Sequence, residues 1–241
     1  MKIVLIGYGR MGKTIERLAT EKGYVISGRI DMDTQPEERK RILRQGDVAI
    51  EFSHPSAAID NIKEALVCSI PVISGTTGWL DQKEEVEQIL RQQNGSLLYA
   101  SNFSIGVNVL FAINKKLASI MDQYPSYEVK VEEVHHVHKK DAPSGTALTL
   151  IEGITSYLSR KDKWSLTDEE LSTIKIDAHR EGEVYGDHKV TYRSPIDTIE
   201  LSHSAHTRDG FALGAIAAAK WLYNEGHPHK GWKGMADMMG L

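Results

Sequence analysis

The sequence predicts an α/β protein: an N-terminal parallel sheet wound with helices, then a second unit built on a mixed, mostly antiparallel sheet. Three observations carry this. Short apolar runs alternate with helical stretches up to about residue 104. A glycine-rich turn closes the first of those runs. Three β-rich runs then follow one another between Ile174 and Ala205 with no helical stretch between them.

Lys2 to Ile6 is short, apolar and β-rich, as expected of a strand buried on both faces. It runs into Gly7-Tyr8-Gly9-Arg10-Met11-Gly12, a Gly-x-Gly-x-x-Gly followed by a helix over Lys13 to Lys22. Gly7 permits the tight turn, Gly9 lets the backbone approach a pyrophosphate, and Gly12 lets the helix pack close to the strand. A second strand, Tyr24 to Ile30, ends at Asp31, 19 residues after Gly12, where an acid that holds a ribose is expected. The plainer reading of these residues is a tight turn followed by a solvated aspartate. The context on both sides favours a Rossmann-like unit with Gly7, Tyr8, Gly9, Arg10, Met11, Gly12 and Asp31 as cofactor-binding residues. A carboxylate at 31 accepts hydrogen bonds from ribose hydroxyls and repels a 2′-phosphate. Met32 follows it, and Arg10 and Arg29 remain as phosphate partners. NADH is therefore expected to serve at least as well as NADPH.

Gln35 to Arg44 reads as a charged helix or loop, Val48 to Ser53 as a strand, and Ala57 to Ser69 as a helix after Pro55. Pro71 to Ser74 is a strand ending in Gly75-Thr76-Thr77-Gly78, Asp81 to Gln93 a helix, and Ser96 to Ala100 a strand leading into Ser101-Asn102-Phe103-Ser104. Small and hydroxyl residues at strand ends suit a crevice over the carboxyl edge of an open sheet, though a plain loop fits Gly75-Thr76-Thr77-Gly78 equally well.

Ile105 to Met121 is a long apolar helix, and Tyr127 to His138 alternates as a strand does. The stretch from Glu133 to Ala147 then carries three of the ten histidines (His135, His136, His138), Lys139, Lys140 and a turn through Asp141-Ala142-Pro143. A helix over Ala147 to Leu158 follows. The run combines a strand end, a cationic corner and a helix start, which is an anion site in the making. Histidine beside lysine there points to proton donation to an anionic substrate. The rival readings are solvated histidines or a metal site. Metal is disfavoured because a strand sends neighbouring residues to opposite faces, and none is expected. If the strand persists, His135 and Lys139 share a face; if it breaks after Glu133, that argument fails.

Lys161 to Glu170 reads as a polar loop. Ile174 to Glu181, Val184 to Arg193 and Asp197 to Ala205 are strands, with a turn or bulge at Gly186-Asp187. Phe211 to Asn224 is a helix, Gly231 to Gly234 a loop, and a short helix ends the chain.

The 29 basic and 33 acidic residues of the 241 give a net charge of −4. That balance provides no overall field for nucleic acid or an anionic membrane. One cysteine excludes an intrachain disulfide, no apolar run is long enough to span a bilayer, and the chain opens directly in a strand. These features give an expectation of a cytoplasmic protein.

The residues also carry a resemblance. It rests on the glycine motif, Gly75-Thr76-Thr77-Gly78, Ser101 to Asn108, and Glu133-x-His135-His136-x-x-Lys139-x-Asp141-Ala142-Pro143-Ser144-Gly145-Thr146-Ala147. Arg180-Glu181-Gly182, Gly186-Asp187-His188 and Arg208-Asp209-Gly210-Phe211-Ala212-x-Gly214 add to it. On these the chain resembles, over nearly its whole length, the 4-hydroxy-tetrahydrodipicolinate (dihydrodipicolinate) reductase family of lysine and diaminopimelate biosynthesis. The resemblance implies an enzyme that reduces a cyclic imine dicarboxylate with NADH or NADPH. It implies a dinucleotide-binding domain over 1–104 and 212–241, a substrate and oligomerisation domain over 105–211, and a homotetramer; because cofactor and substrate must then meet between the domains, hinge closure is expected near Ser104 and Ala212. His135 matches a proton donor and Lys139 the second catalytic residue. His136, Ser144, Gly145 and Thr146 are the implied substrate-binding set. Gly75, Thr76, Thr77, Ala100, Ser101, Asn102 and Phe103 are the implied nicotinamide set. Two features depart from the pattern: the chain is short after the second strand, and Asp31-Met32 replaces an acidic-then-arginine pair. The alternatives are another two-domain nicotinamide-dependent dehydrogenase, or a dinucleotide-sensing module without turnover.

Overall fold

The computed structural model describes residues 1–167, 170–224 and 229–241. The chain forms two units, Met1–Ser104 with Asp209–Leu241, and Ile105–Arg208. The return to the first unit falls at Asp209, ahead of the expected 212, because the returning helix already starts there.

The first unit opens with β1 (Lys2–Ile6), α1 (Arg10–Glu21), β2 (Val25–Ile30), α2 (Pro36–Leu43), β3 (Val48–Glu51) and α3 (Pro55–Val67). It continues with β4 (Val72–Ser74), α4 (Lys83–Gln92) and β5 (Ser96–Tyr99). The second unit holds α5 (Ile105–Met121), β6 (Glu128–His135), α6 (Gly145–Thr155), β7 (Lys163–Ser165), β8 (Thr173–Arg180), β9 (Asp187–Arg193) and β10 (Thr198–Ser204). The chain then returns with α7 (Asp209–Tyr223), β11 (Gly231–Lys233) and α8 (Met235–Met239).

All pairings in the first sheet are parallel, in the order β11-β5-β4-β3-β1-β2. Ile3 and Leu5 of β1 pack into one core with Ile15, Leu18 and Ala19 of α1 and Ala215, Ile216 and Leu222 of α7. Val4 and Ile6 face the other way, into a core with Ile42, Ile59, Ile62, Leu66, Val86 and Leu90. Burial on both faces explains the unbroken apolar β1, and each such side chain contributes about 1.5–3 kcal/mol. Strand order reverses about β1, so the carboxyl ends of β1 and β3 form the switch point where an open sheet leaves a crevice.

The second sheet runs β10-β9-β6-β8-β7. The β10–β9 and β9–β6 pairings are antiparallel and longer than the parallel β6–β8 and β8–β7 pairings, which gives the mixed sheet expected. Strand β6 alternates strictly, burying Val129, Val131, Glu133 and His135. The apolar members join Leu110, Leu150, Ile151, Ile154, Ile174, Ile176, Val190 and Tyr192 in the core of this unit.

Five expectations are corrected. Helix α1 begins at Arg10, not Lys13, and α6 at Gly145, not Ala147; each first turn holds a glycine, Gly12 or Gly145, which masks the helical pattern. Helix α6 also stops at Thr155, short of Leu158. The tail segment Gly231–Lys233 is a strand rather than a loop and pairs with β5. A short strand, Lys163–Ser165, lies inside the expected polar loop, of which residues 168 and 169 fall outside those described. Among the described residues no helix is long and apolar enough to cross a membrane.

Candidate active site

Each unit carries its own set of residues. In the first, Gly7 takes φ +89°, and a Cβ there would meet the Phe52 carbonyl oxygen at 2.1 Å. A Cβ on Gly12 would lie 2.4 Å from the Gly7 oxygen, so this glycine permits the close seating of α1. Gly9 has nothing within 4 Å of its Cβ position, which leaves room for a ligand against the backbone. Gly9 is also the N-cap of α1 and supplies no side-chain cap. Two crevices of about 520 and 370 Å³ share Gly9, Phe52 and Ser53. The first also takes in Gly7, Tyr8, Asp31 and Met32; the second takes in Arg10, Met11, Gly75, Thr76 and Thr77. These surroundings fit a dinucleotide lying across the switch point.

A residue that pattern reading missed organises the second crevice. Glu51 ends β3 fully buried. It accepts hydrogen bonds from the Ser53 N–H at 3.0 Å and from the Ser74 and Thr76 hydroxyls, each at 2.7 Å. The Ser53 N–H also donates to the Thr76 hydroxyl at 2.8 Å. One carboxylate thereby ties the ends of β3 and β4 together and fixes the Gly75-Thr76-Thr77 loop. Ala100 joins that edge through its N–H to the Ser74 oxygen, at 3.2 Å. Ser101 is exposed, and the Asn102 side chain accepts from the Ser104 N–H at 2.9 Å. The Phe103 ring is core, packed 5.7 Å from Phe52, so only its backbone is available to a ligand.

In the second unit the site grows from the end of β6. His135 is the last strand residue, and a turn follows in which the Lys139 N–H donates to the His136 oxygen at 3.1 Å. Strand parity therefore does not reach Lys139. Its place is set by the turn and by Arg180, which donates to the Lys139 carbonyl at 3.3 Å and also to that of Asp141. The Lys139 ammonium sits on the Asp141 carboxylate at 2.7 and 2.8 Å. That pairing holds the Asp141 carboxyl below its usual range.

Beneath this corner lies a buried polar network. Glu133 has no exposure and accepts from the Ser144 N–H at 3.1 Å on each oxygen and from Arg180 at 3.3 Å. The Ser144 hydroxyl caps α6 by accepting from the Ala147 N–H at 3.2 Å, and it hydrogen-bonds with His188 Nε2 at 3.2 Å. The rings of His135 and His188 meet edge to face at 5.1 Å, and Gly186, at φ +148°, leaves room for the His135 ring. Ser144 is thus consumed within the network. Gly145, exposed with an open Cβ position, and Thr146 after it form the first turn of α6. His136 accepts from Arg208 at 3.1 Å, while His138 points at Glu183, 3.4 Å away on the exposed side.

Burial is the main force on both network histidines. It pushes His135 down, with Glu133 opposing and the Lys139 and Arg180 charges adding. It pushes His188 from 6.5 to about 4. Above pH 6.5 the folded and unfolded chains both keep His188 neutral. As pH falls from 6.5 toward 4, only the unfolded chain takes up the proton, so stability is lost. The difference corresponds to roughly 3 kcal/mol at the acid end. Unfolding free energy measured against pH should fall over this window, and His188→Gln should flatten the slope. An unchanged slope in the variant would show that the ring is not held neutral.

The atoms of Glu133, His135 and His188 also lie close enough to hold a metal ion, a trio different from the three histidines of the sequence run. The Arg180 guanidinium, 3.3 Å from the other oxygen of the same carboxylate, already supplies the countercharge an ion would bring and would repel it, which favours the hydrogen-bonded network. Glu133, Arg180, His188 and Arg208 were not singled out by residue chemistry. The one legible signal was a glutamate on the apolar face of an alternating strand.

The family model described as dihydrodipicolinate reductase, N-terminus, matches residues 1–103, and that described as dihydrodipicolinate reductase, C-terminus, matches 106–239. The chain belongs to the dihydrodipicolinate reductase family. It is 46% identical over 222 residues to the 4-hydroxy-tetrahydrodipicolinate reductase of Christiangramia forsetii, covering 92% of each chain. It is 36% identical to that of Desulfovibrio desulfuricans over 98% of each. Among solved structures it matches a dipicolinate-bound dihydrodipicolinate reductase from Paenisporosarcina sp. TG-14 with a TM-score of 0.72 and 18% identity, covering 97% of both chains; this likeness speaks for the fold. Members of this family are NAD(P)H-dependent oxidoreductases, and the dinucleotide-binding half is present here.

Proposed function

We infer that this chain reduces 4-hydroxy-2,3,4,5-tetrahydrodipicolinate to 2,3,4,5-tetrahydrodipicolinate at the expense of NADH or NADPH, with loss of water, in lysine and diaminopimelate biosynthesis. The observation that carries the reading is the corner from Glu133 to Thr146, where a paired lysine, a buried histidine and an open helix N-terminus stand together. When bound, the nicotinamide supplies the hydride.

The residues of the chain do the rest. The first-turn amides at Gly145 and Thr146 receive one substrate carboxylate. Arg208 and His136, already in contact, receive the other. Lys139 donates the proton that quenches charge building on the ring nitrogen and adjoining carbon. His135 is held neutral by burial, so it orients the substrate and passes a proton through its N–H. In the first unit, Gly7 to Gly12 and Asp31 hold the pyrophosphate and ribose, and Gly75 to Thr77 with Ala100 to Phe103 hold the nicotinamide.

NADH oxidation by substrate freshly made from pyruvate and aspartate semialdehyde tests the activity. Pyridine-2,6-dicarboxylate should inhibit competitively, because it presents two carboxylates on a planar ring. Turnover that ignores this inhibitor would favour a different dehydrogenase. Binding of NADH without any turnover would favour a sensor. We also place the protein in the cytoplasm, where the nucleotide pool is, as a homotetramer joined through the second sheet. The outer strand β10 supports this, with a largely exposed row and Ile199 at 38% exposure. Sedimentation equilibrium should give four times 26.9 kDa, and a monomer would refute the assembly.

A further inference from the structure

NADPH differs from NADH by a phosphate of charge near −2 on the ribose, so a site that accepts it needs a free cation beside the ribose acid. Three arginines were available to serve. Arg10 lines the second crevice rather than the one holding Asp31. Arg39 lines the Asp31 crevice, but its Nε donates to Glu64 at 2.6 Å and its Nη2 to Asn61 at 2.6 Å. Both partners of that ion pair are mostly shielded, at 18% and 20% exposure. Arg29 lies over the Tyr8 ring, 5.3 Å from its centre, and is gripped by both oxygens of Glu16, one of them at 2.8 Å from Nε. Tyr8 also donates to Glu16, which fixes that carboxylate in place. Asp31, by contrast, is exposed, and its carboxylate accepts only from the Met32 N–H among the contacts described, at 3.0 Å.

We propose that Glu64 and Glu16 determine cofactor choice: by neutralising Arg39 and Arg29, they leave Asp31 as the uncompensated charge at the ribose end and so select NADH. The proposal rests on the reading that the Gly7 to Gly12 loop holds a dinucleotide. Glu64 carries the larger share, because its arginine forms part of the crevice wall. Glu64→Gln keeps the shape and a hydrogen-bond acceptor for Arg39 while releasing the positive charge toward the crevice. Glu16→Gln does the same for Arg29, which sits on β2 two residues before Asp31 and outside the crevice lining.

Calorimetric titration of the full chain with NADH and with NADPH, in the absence of substrate, gives the test. The unmodified protein should bind NADH the more tightly. Glu64→Gln should tighten NADPH about tenfold while NADH moves by less than about threefold. Glu16→Gln should shift the same ratio by a smaller factor. Adding Arg39→Ala to Glu64→Gln should erase the gain, which separates a freed charge from a merely altered wall. Thermal unfolding checks that each variant folds, and the Glu16 variant stands if the Glu64 variant does not. An unmodified protein that prefers NADPH, or folded variants in which the ratio stays put, would overturn the proposal. Failure to bind either nucleotide would instead sink the dinucleotide reading.

Discussion

Lys139→Ala should lower kcat about 10²–10⁴-fold, with a much smaller change in KM, because it removes the proton source without removing the anion-binding amides. Two observations single out this residue. The ammonium is held on Asp141 at 2.7 Å, on a turn that Arg180 fastens through two carbonyls. The imidazole beside it is buried and pushed toward its neutral form. A mechanism that needed the His135 imidazolium would lose activity as pH rises, and burial brings that loss below the usual histidine range. His135→Gln should therefore cost less, about tenfold, since an amide still offers a hydrogen bond. If Lys139→Ala turned over within tenfold of the unmodified enzyme, the assignment would be wrong.

Glu133→Ala should destabilise the second unit by about 3–5 kcal/mol, a large share of the stability of an ordinary domain. The carboxylate is completely buried, and the loss strands the Ser144 N–H and removes the counter-charge of Arg180. Glu133→Gln keeps an acceptor for Ser144 and loses only the charge, so its cost should be roughly half. Urea midpoints measure both. The folded Gln variant should also show a raised KM for the dicarboxylate, because the start of α6 is anchored to Glu133 through Ser144. Equal midpoints for the Ala variant and the unmodified chain would mean that the network contributes nothing.

Much of the architecture was legible because it rests on period and punctuation. Two-sided burial makes β1 a continuous apolar run, and the turn at Gly7 is imposed by φ +89° and the nearby Phe52 carbonyl. The short strands at Lys163 and Gly231 were not legible. Three residues cannot display a period, and both are recruited by a neighbour's free edge rather than by their own pattern. In the site, the corner itself announced its chemistry by clustering histidines and lysines. Its supports did not. Glu133, Arg180 and His188 come from three separate strands, β6, β8 and β9, and only the pairing of those strands brings them together. The same holds for Glu51, whose partners Ser74 and Thr76 come from the neighbouring strand and its loop. Alternation along the strand could not relate His135 to Lys139 for a local reason: the strand stops at His135 and a turn carries the lysine.

The first unit is interrupted in sequence by the second. Its core takes Ala215, Ile216, Ala219 and Leu222 from α7, and its sheet takes its outermost strand from Gly231–Lys233. A ribosome emitting this chain therefore delivers the whole second unit before it delivers the helix that seals the first. The contiguous unit is free to mature early, while the nucleotide-binding half waits for its closing segment with one face of its sheet uncovered. Chaperone demand and proteolytic sensitivity during synthesis should thus concentrate on the first half of the chain.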